Sequence, residues 1–192
     1  GQVRDTIIVE ATWLGHFEPY IKKVVNTYIY EMMVDSNQTK LAETYGLLPF
    51  EVLVLDVKRT LCEKIMSLVR FSHTKNPIED LNNKIRHVYD IHQLLKDETV
   101  LGFFNSGAFD KMLLRVAHDD TQSFKNNNDW LKYHPKQALI FKEPEKTWNQ
   151  LKDTYRNEFE YLVYGKLPKE ESILEIILSI SNRLTKIKWE NV

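Results

Sequence analysis

The stretch "VKRTLCEKIMSLVRFS", Val57 to Ser72, decides how this chain is read. Wound at about 100° per residue, it places Val57, Leu61, Ile65, Leu68, Val69 and Phe71 on one broad apolar arc. Lys64 falls inside that arc, beside Val57 and Leu68. Arg59, Glu63 and Arg70 gather on the opposite side, within about 40° of one another. An ammonium among aliphatic side chains must snorkel to solvent, pair with a carboxylate or line a cleft, because burying it unpaired costs several kcal/mol.

Upstream, Asp56 is placed to cap this helix, and Phe50–Leu55, "FEVLVL", reads as a strand. Thr6–Leu14, "TIIVEATWL", is nearly continuous in its apolarity, as a buried strand is, with Glu10 in its middle. Phe17–Met33 reads as a helix with Pro19 in its first turn. Downstream, Asn76, Pro77 and Glu79 form a start signal, with Asn76 as the cap of a helix reading "PIEDLNNKIRHVYDIHQLLK". One face of it carries Leu81, Ile85, Val88, Tyr89 and Leu95. Later segments read as helices separated at "NSG", "NNND" and "YHPKQ", one of them ending at Gly165 and another starting after "LPK". The expected fold is α+β. Residues 1–56 make a strand-bearing edge with two strands and a helix, and residues 57–192 a mainly helical bundle.

Composition bounds the rest. The chain has 192 residues, 43% hydrophobic and 28% charged, enough for one domain with a substantial core. A formal net charge of −1 sets up no global field for nucleic acid or anionic lipid, so any such contact needs a local patch. Cys62 is the single cysteine, which excludes an internal disulfide and Cys-cluster metal sites and suits a cytoplasmic protein. No apolar run approaches the roughly 20 residues that span a bilayer, so no membrane partner is expected. The opening "GQVRDTIIVEATWL" lacks Met and reaches an apolar strand at once, and a fragment of a longer protein is expected.

Two helices thus hold Arg59, Glu63, Lys64 and Arg70 on the first, and Arg86, His87 and Asp90 on the second. Arg59–Glu63 and Arg86–Asp90 are i,i+4 pairs, a spacing that solvated helix faces also use for a few tenths of a kcal/mol. "RTLCEKIMSLVR" followed by "KIRHVYDIHQLL" resembles the paired signature of the AbiEii/AbiGii nucleotidyltransferase-like toxins. These are toxin halves of type IV toxin–antitoxin and abortive-infection systems, with MenT proteins as relatives. Arg59, Thr60, Glu63, Lys64, Leu68 and Arg70 fill the first part of the pattern; Arg86, His87, Asp90 and Ile91 fill the second.

The resemblance implies a nucleotidyltransferase fold with a helical C-terminal half. It implies that Lys64 contacts the phosphates of an NTP and that Asp90 completes the active site. Arg59, Glu63, Arg70, Arg86 and His87 become candidate nucleotide-binding residues. The implied reaction transfers NMP from the NTP to an RNA, tRNA in some members, or to a protein, with Mg²⁺ held by carboxylates and a cognate antitoxin as partner. Two departures stand against it. The Gly-Ser turn with D-x-D that carries the superfamily's metal is not among these residues, so this chain is expected to need an upstream half for catalysis. His87 stands where many members carry Asp. Glu10 is the candidate third, metal-binding carboxylate, with a strand-edge position as its plain alternative.

Two other functions fit the same residues. Arg86 and His92 resemble the R-x(4–6)-H motif of helical HEPN ribonucleases, and a non-catalytic interaction module needs no site at all. His92 otherwise reads as a core histidine with a backbone partner, and His118-Asp119 as a plain helix end. Trp130 and Tyr133 suit base stacking or, more simply, the pinning of a loop to the helices.

Overall fold

The computed structural model describes residues 18–189. The expected strand Thr6–Leu14, with Glu10, lies outside them.

The strand-bearing edge is built from two strands with two short helices between them. β1 (Tyr20–Val25) pairs antiparallel with β2 (Phe50–Leu55), Tyr20 opposite Leu55 and Val25 opposite Phe50. α1 (Tyr28–Asp35) and α2 (Thr39–Thr44) fill the connection. This corrects the helix expected over Phe17–Met33: its first half is a strand. "YIKKVV" has β-branched and aromatic residues that suit a pleated surface, and "FEVLVL" offers it a ladder. The helix starts only where the Thr27 hydroxyl accepts a bond from the Tyr30 amide at 3.0 Å. Pro19, expected in a first turn, instead precedes the strand and accepts from the Asp56 amide at 2.9 Å.

α3 (Val57–Phe71) follows as expected, its start fixed by the Asp56 carboxylate accepting from the Lys58 amide at 2.7 Å. The next expected helix is two. α4 (Pro77–Asn82) and α5 (Arg86–Leu94) are separated at Asn83–Ile85, where the pair Asn82-Asn83 favours a turn over a continued helix. Pro77 does sit in the first turn of α4, but the Asn76 side chain makes no capping bond there.

α6 (Glu98–Phe104) and α7 (Gly107–Ser123) come next, then the short α8 (Leu139–Lys142) and α9 (Pro144–Thr154). The helix expected to reach Gly165 relaxes into a π turn at Tyr155–Phe159, where buried Tyr155 donates to the Pro168 carbonyl at 3.0 Å. Gly165 adopts φ +92°, a conformation open to glycine, and releases the chain into the last helix. α10 (Glu170–Leu184) buries Ile173, Ile177, Ile180 and Leu184 along one stripe.

One core joins these helices, running from Leu61 of α3 to Ile187 beyond α10. Its aromatic centre is Phe103, Phe104 and Phe109, meeting edge to face at 5.0–5.9 Å between centroids. α3 lies at the middle of the bundle and packs against α5 on one flank and α7 on the other. That central position creates the site.

Candidate functional site

The residues of α3 that are fully buried run around the helix from Leu68 through Leu61, Ile65, Val69, Cys62 and Met66 to Arg59. On the helical wheel this arc spans about 180°, wider than the aliphatic arc of the sequence and rotated from it. Lys64 therefore sits at one rim and Arg59 at the other. The side expected to be solvated is covered by α7.

At the first rim, Lys64 Nζ lies 2.7 Å from Asp90 Oδ2 of α5. Arg86 Nε approaches the same oxygen at 3.4 Å, its own side chain 75% exposed. Lys64 and Asp90 are about one-fifth exposed, so the pair is set into the surface with room for a ligand at its outer edge. His87 has its Nδ1 buried without a hydrogen bond. Burial first, then the charges of Lys64 and Lys84, push its pKa down to about 4, so a neutral imidazole stands beside Asp90 near pH 7.

At the second rim, Arg59 is 2% exposed and fully engaged by protein. Its Nε is 2.8 Å from Glu63 Oε1, and its Nη1 is 2.7 Å from the Glu18 carbonyl and 2.8 Å from Asp119 Oδ2. Burial alone would lower this pKa, but the hydrogen bonds and charges of Glu63 and Asp119 outweigh it and the net shift is upward. Arg59 thus ties α3 to α7 and to Glu18, two residues ahead of the first strand. Asp119 is no plain helix end.

Two cavities open from α3. One, of about 490 Å³, is lined by Lys64, Arg86, Tyr89, Asp90 and Asp97. The other, of about 330 Å³, lies between α3 and α7 and includes Glu63, Lys64, Arg70, His87, Asp119 and Asp120. Thr60 and Lys64 line both, so the ammonium stands on their shared wall. Volumes of this order suit small molecules. Asp120 was not among the expected site residues. Burial raises its pKa to about 7, with Arg70 and Arg59 opposing and Glu63 and Asp119 adding to the rise. A sequence signal for it exists: two acids stand near the C-terminus of α7 with no base in the last turn, against the helix dipole.

Among the described residues no group of three or more His, Cys, Asp or Glu is placed to hold a metal ion. Glu63 and Asp119 are engaged by Arg59, and Asp90 by Lys64 and Arg86. The described carboxylates therefore do not form a metal cradle. Glu10, the candidate ligand from the sequence, lies outside the described residues.

The remaining expectations resolve structurally. Trp130 is buried and donates to the Asn127 carbonyl at 3.2 Å, while Tyr133 stacks on His73 at 5.2 Å, so both rings pin loops. His92 is partly exposed and its Nδ1 has no hydrogen-bond partner, where a backbone partner was expected. Arg86, the other member of the ribonuclease-like motif, is drawn to Asp90. No helix among the described residues is long and apolar enough to cross a membrane.

Comparison with known proteins adds one result. The family model described as the nucleotidyl transferase AbiEii toxin of type IV toxin–antitoxin systems matches residues 1–174. No curated protein and no solved structure matches the chain. The match takes in both strands, the Lys64–Asp90 pair and both cavities, and the chain belongs to the AbiEii nucleotidyl transferase toxin family.

Proposed function

We propose that the wall formed by Lys64, Asp90 and Arg86 receives the triphosphate of an NTP. The chain then serves a transferase that moves NMP to an RNA acceptor, tRNA among the candidates, or to a protein. Family membership supplies the reaction class, a divalent metal and a cognate antitoxin. The nucleotide, the acceptor and Mg²⁺ as the ion are the finer parts of this reading. The observation that carries it is the Lys64–Asp90 pair at 2.7 Å on the wall of an open cavity.

The chemistry follows from the pair. Lysine presents a compact charge to phosphate oxygens, and a carboxylate that pre-orients it keeps that charge in place before the ligand arrives. Phosphoryl-type transfer asks mainly for positioning and neutralisation of charge. An acceptor oxygen attacks the α-phosphorus, its bond to the bridging oxygen breaks, and pyrophosphate leaves. Lys64 and the exposed Arg86 face the charge that this releases. The D-x-D motif is not in this sequence, so complete transfer is assigned to the chain acting with such a motif supplied elsewhere.

Calorimetric titration with each NTP and Mg²⁺ tests the reading. Binding is expected in the wild type and lost in Lys64→Ala. Equal behaviour of the two proteins makes the pair surface decoration. RNA cleavage in EDTA, abolished by His92→Ala, transfers the assignment to a metal-independent ribonuclease.

A further inference from the structure

The cavity between α3 and α7 is lined by Arg70, on which Asp120 acts through charge alone. The Arg70 guanidinium lies 4.9 Å from the centroid of Phe71 and 4.2 Å from that of Phe124. Among the described residues its side chain forms no hydrogen bond and no ion pair. Two rings thus orient a planar, five-donor cation whose donors face a cavity. This differs from Arg59, at the other end of the same cavity, whose donors go to Glu63, Asp119 and Glu18. Ser67 and Ser123 line the same cavity, and among the described residues their hydroxyls make no hydrogen bond.

We propose that this end of the cavity is a second oxyanion subsite, in which Arg70, Ser67 and Ser123 hold a phosphate group of the acceptor while Lys64, on the shared wall, holds the nucleotide. A guanidinium fork with hydroxyls beside it matches the oxygens of a phosphate, and stacking on rings limits the entropy lost on binding. Lys64 lining both cavities places the two substrates next to each other, as group transfer requires. Assignment to the acceptor rests on the nucleotidyl-transfer reading; oxyanion binding at Arg70 does not.

Asp120 tunes this subsite. Around it stand Arg59, Glu63 and Arg70 of α3 and Asp119 of its own helix, and Lys64 of α3 and His87 of α5 line the same cavity. His87, shifted to about 4, stays neutral from pH 6 to 8. Over that range Asp120, at about 7, changes from a neutral carboxyl that donates to an oxyanion into a carboxylate that repels it. Anion binding at Arg70 therefore weakens about 10-fold from pH 6 to pH 8.

The test follows the Arg70 Nε–H resonance in ¹H–¹⁵N spectra, identified by its loss in Arg70→Gln. Inorganic phosphate, 5′-AMP and the dinucleotide ApA are the probes. Sulfate, whose charge is constant from pH 6 to 8, serves for the pH series. The expected result is saturable movement of the Arg70 signal in the wild type. Anion binding is lost in Arg70→Gln and weakened several-fold in Ser67→Ala/Ser123→Ala, which leaves the guanidinium and its rings in place if the first variant does not fold. Response to AMP and not ApA assigns the subsite to a terminal phosphate; response to ApA as well assigns it to a chain phosphodiester. Asp120→Asn binds sulfate with one affinity across the range. Silence of the Arg70 signal with every probe, unchanged affinity in the serine variant, or a pH dependence that persists in Asp120→Asn overturns the proposal. Failure of NTP binding with the Arg70 response intact would remove the nucleotidyl-transfer reading and leave this subsite standing.

Discussion

Arg59 and Lys64 show how one turn of a helix separates two uses of positive charge. Arg59 is enclosed and holds Glu63, Asp119 and the Glu18 carbonyl, so Arg59→Ala removes the donor from three acceptors, among them the mostly buried Asp119 carboxylate. A loss of about 3–5 kcal/mol in urea denaturation is expected, and Arg59→Lys recovers little because one ammonium cannot reach three directions as a fork does. Two carboxyl-lined positions give opposite pH limbs. His87, depressed to about 4, is protonated sooner in the unfolded chain, so its contribution to stability falls as pH drops from about 6.5 through 4. Asp120, raised to about 7, favours the folded state at low pH and loses that contribution as pH rises through 7. Asp120→Asn is accordingly expected to be more stable than wild type at pH 8 and equal to it near pH 4, measured by urea midpoints at each pH. Lys64 was legible in the sequence because an ammonium on an aliphatic arc needs a partner or a cleft, and Asp90 was legible only through the motif resemblance. Asp119 and Asp120 were not, since a helical wheel does not say which neighbour covers the polar side.

Among elements, α3 read true because several local signals agree: a strand before it, Asp56 as cap, and a strong aliphatic arc. Asp56→Ala is expected to lower stability by about 1 kcal/mol by chemical denaturation, as removal of an N-cap does. β1 misled for the opposite reason. Pro19 read as a helix start ahead of "YIKKVV", whereas its strand-favouring residues pair with β2, some thirty residues later, and that pairing decides its state. The break between α4 and α5 and the π turn at Tyr155–Phe159 also depend on tertiary packing; Tyr155 is buried there and bonded to Pro168. At Leu61, buried in the middle of α3, Leu61→Ala is expected to cost about 2–5 kcal/mol in the same assay.

For the molecule as a whole, the α+β class and the helical body after the second strand were readable from period and turn signals. How the helices surround α3 was not, and that arrangement turns a row of charged residues into two cavities with Lys64 between them. The proposed nucleotide-directed chemistry rests on membership in the AbiEii family, and the packing around α3 offers the place proposed for it. The strand-bearing edge joins the helical body through Glu18 and Pro19, whose carbonyls accept from Arg59 and from the Asp56 amide. The most direct measurement of the central claim is a calorimetric cycle of NTP affinity, with Mg²⁺, over wild type, Lys64→Ala, Asp90→Asn and the double variant. The account predicts a loss of about tenfold or more, about 1.4 kcal/mol, in Lys64→Ala and no further loss in the double variant, because Asp90 acts on the phosphates through Lys64. Unchanged affinity in Lys64→Ala, or losses that simply add, would contradict it.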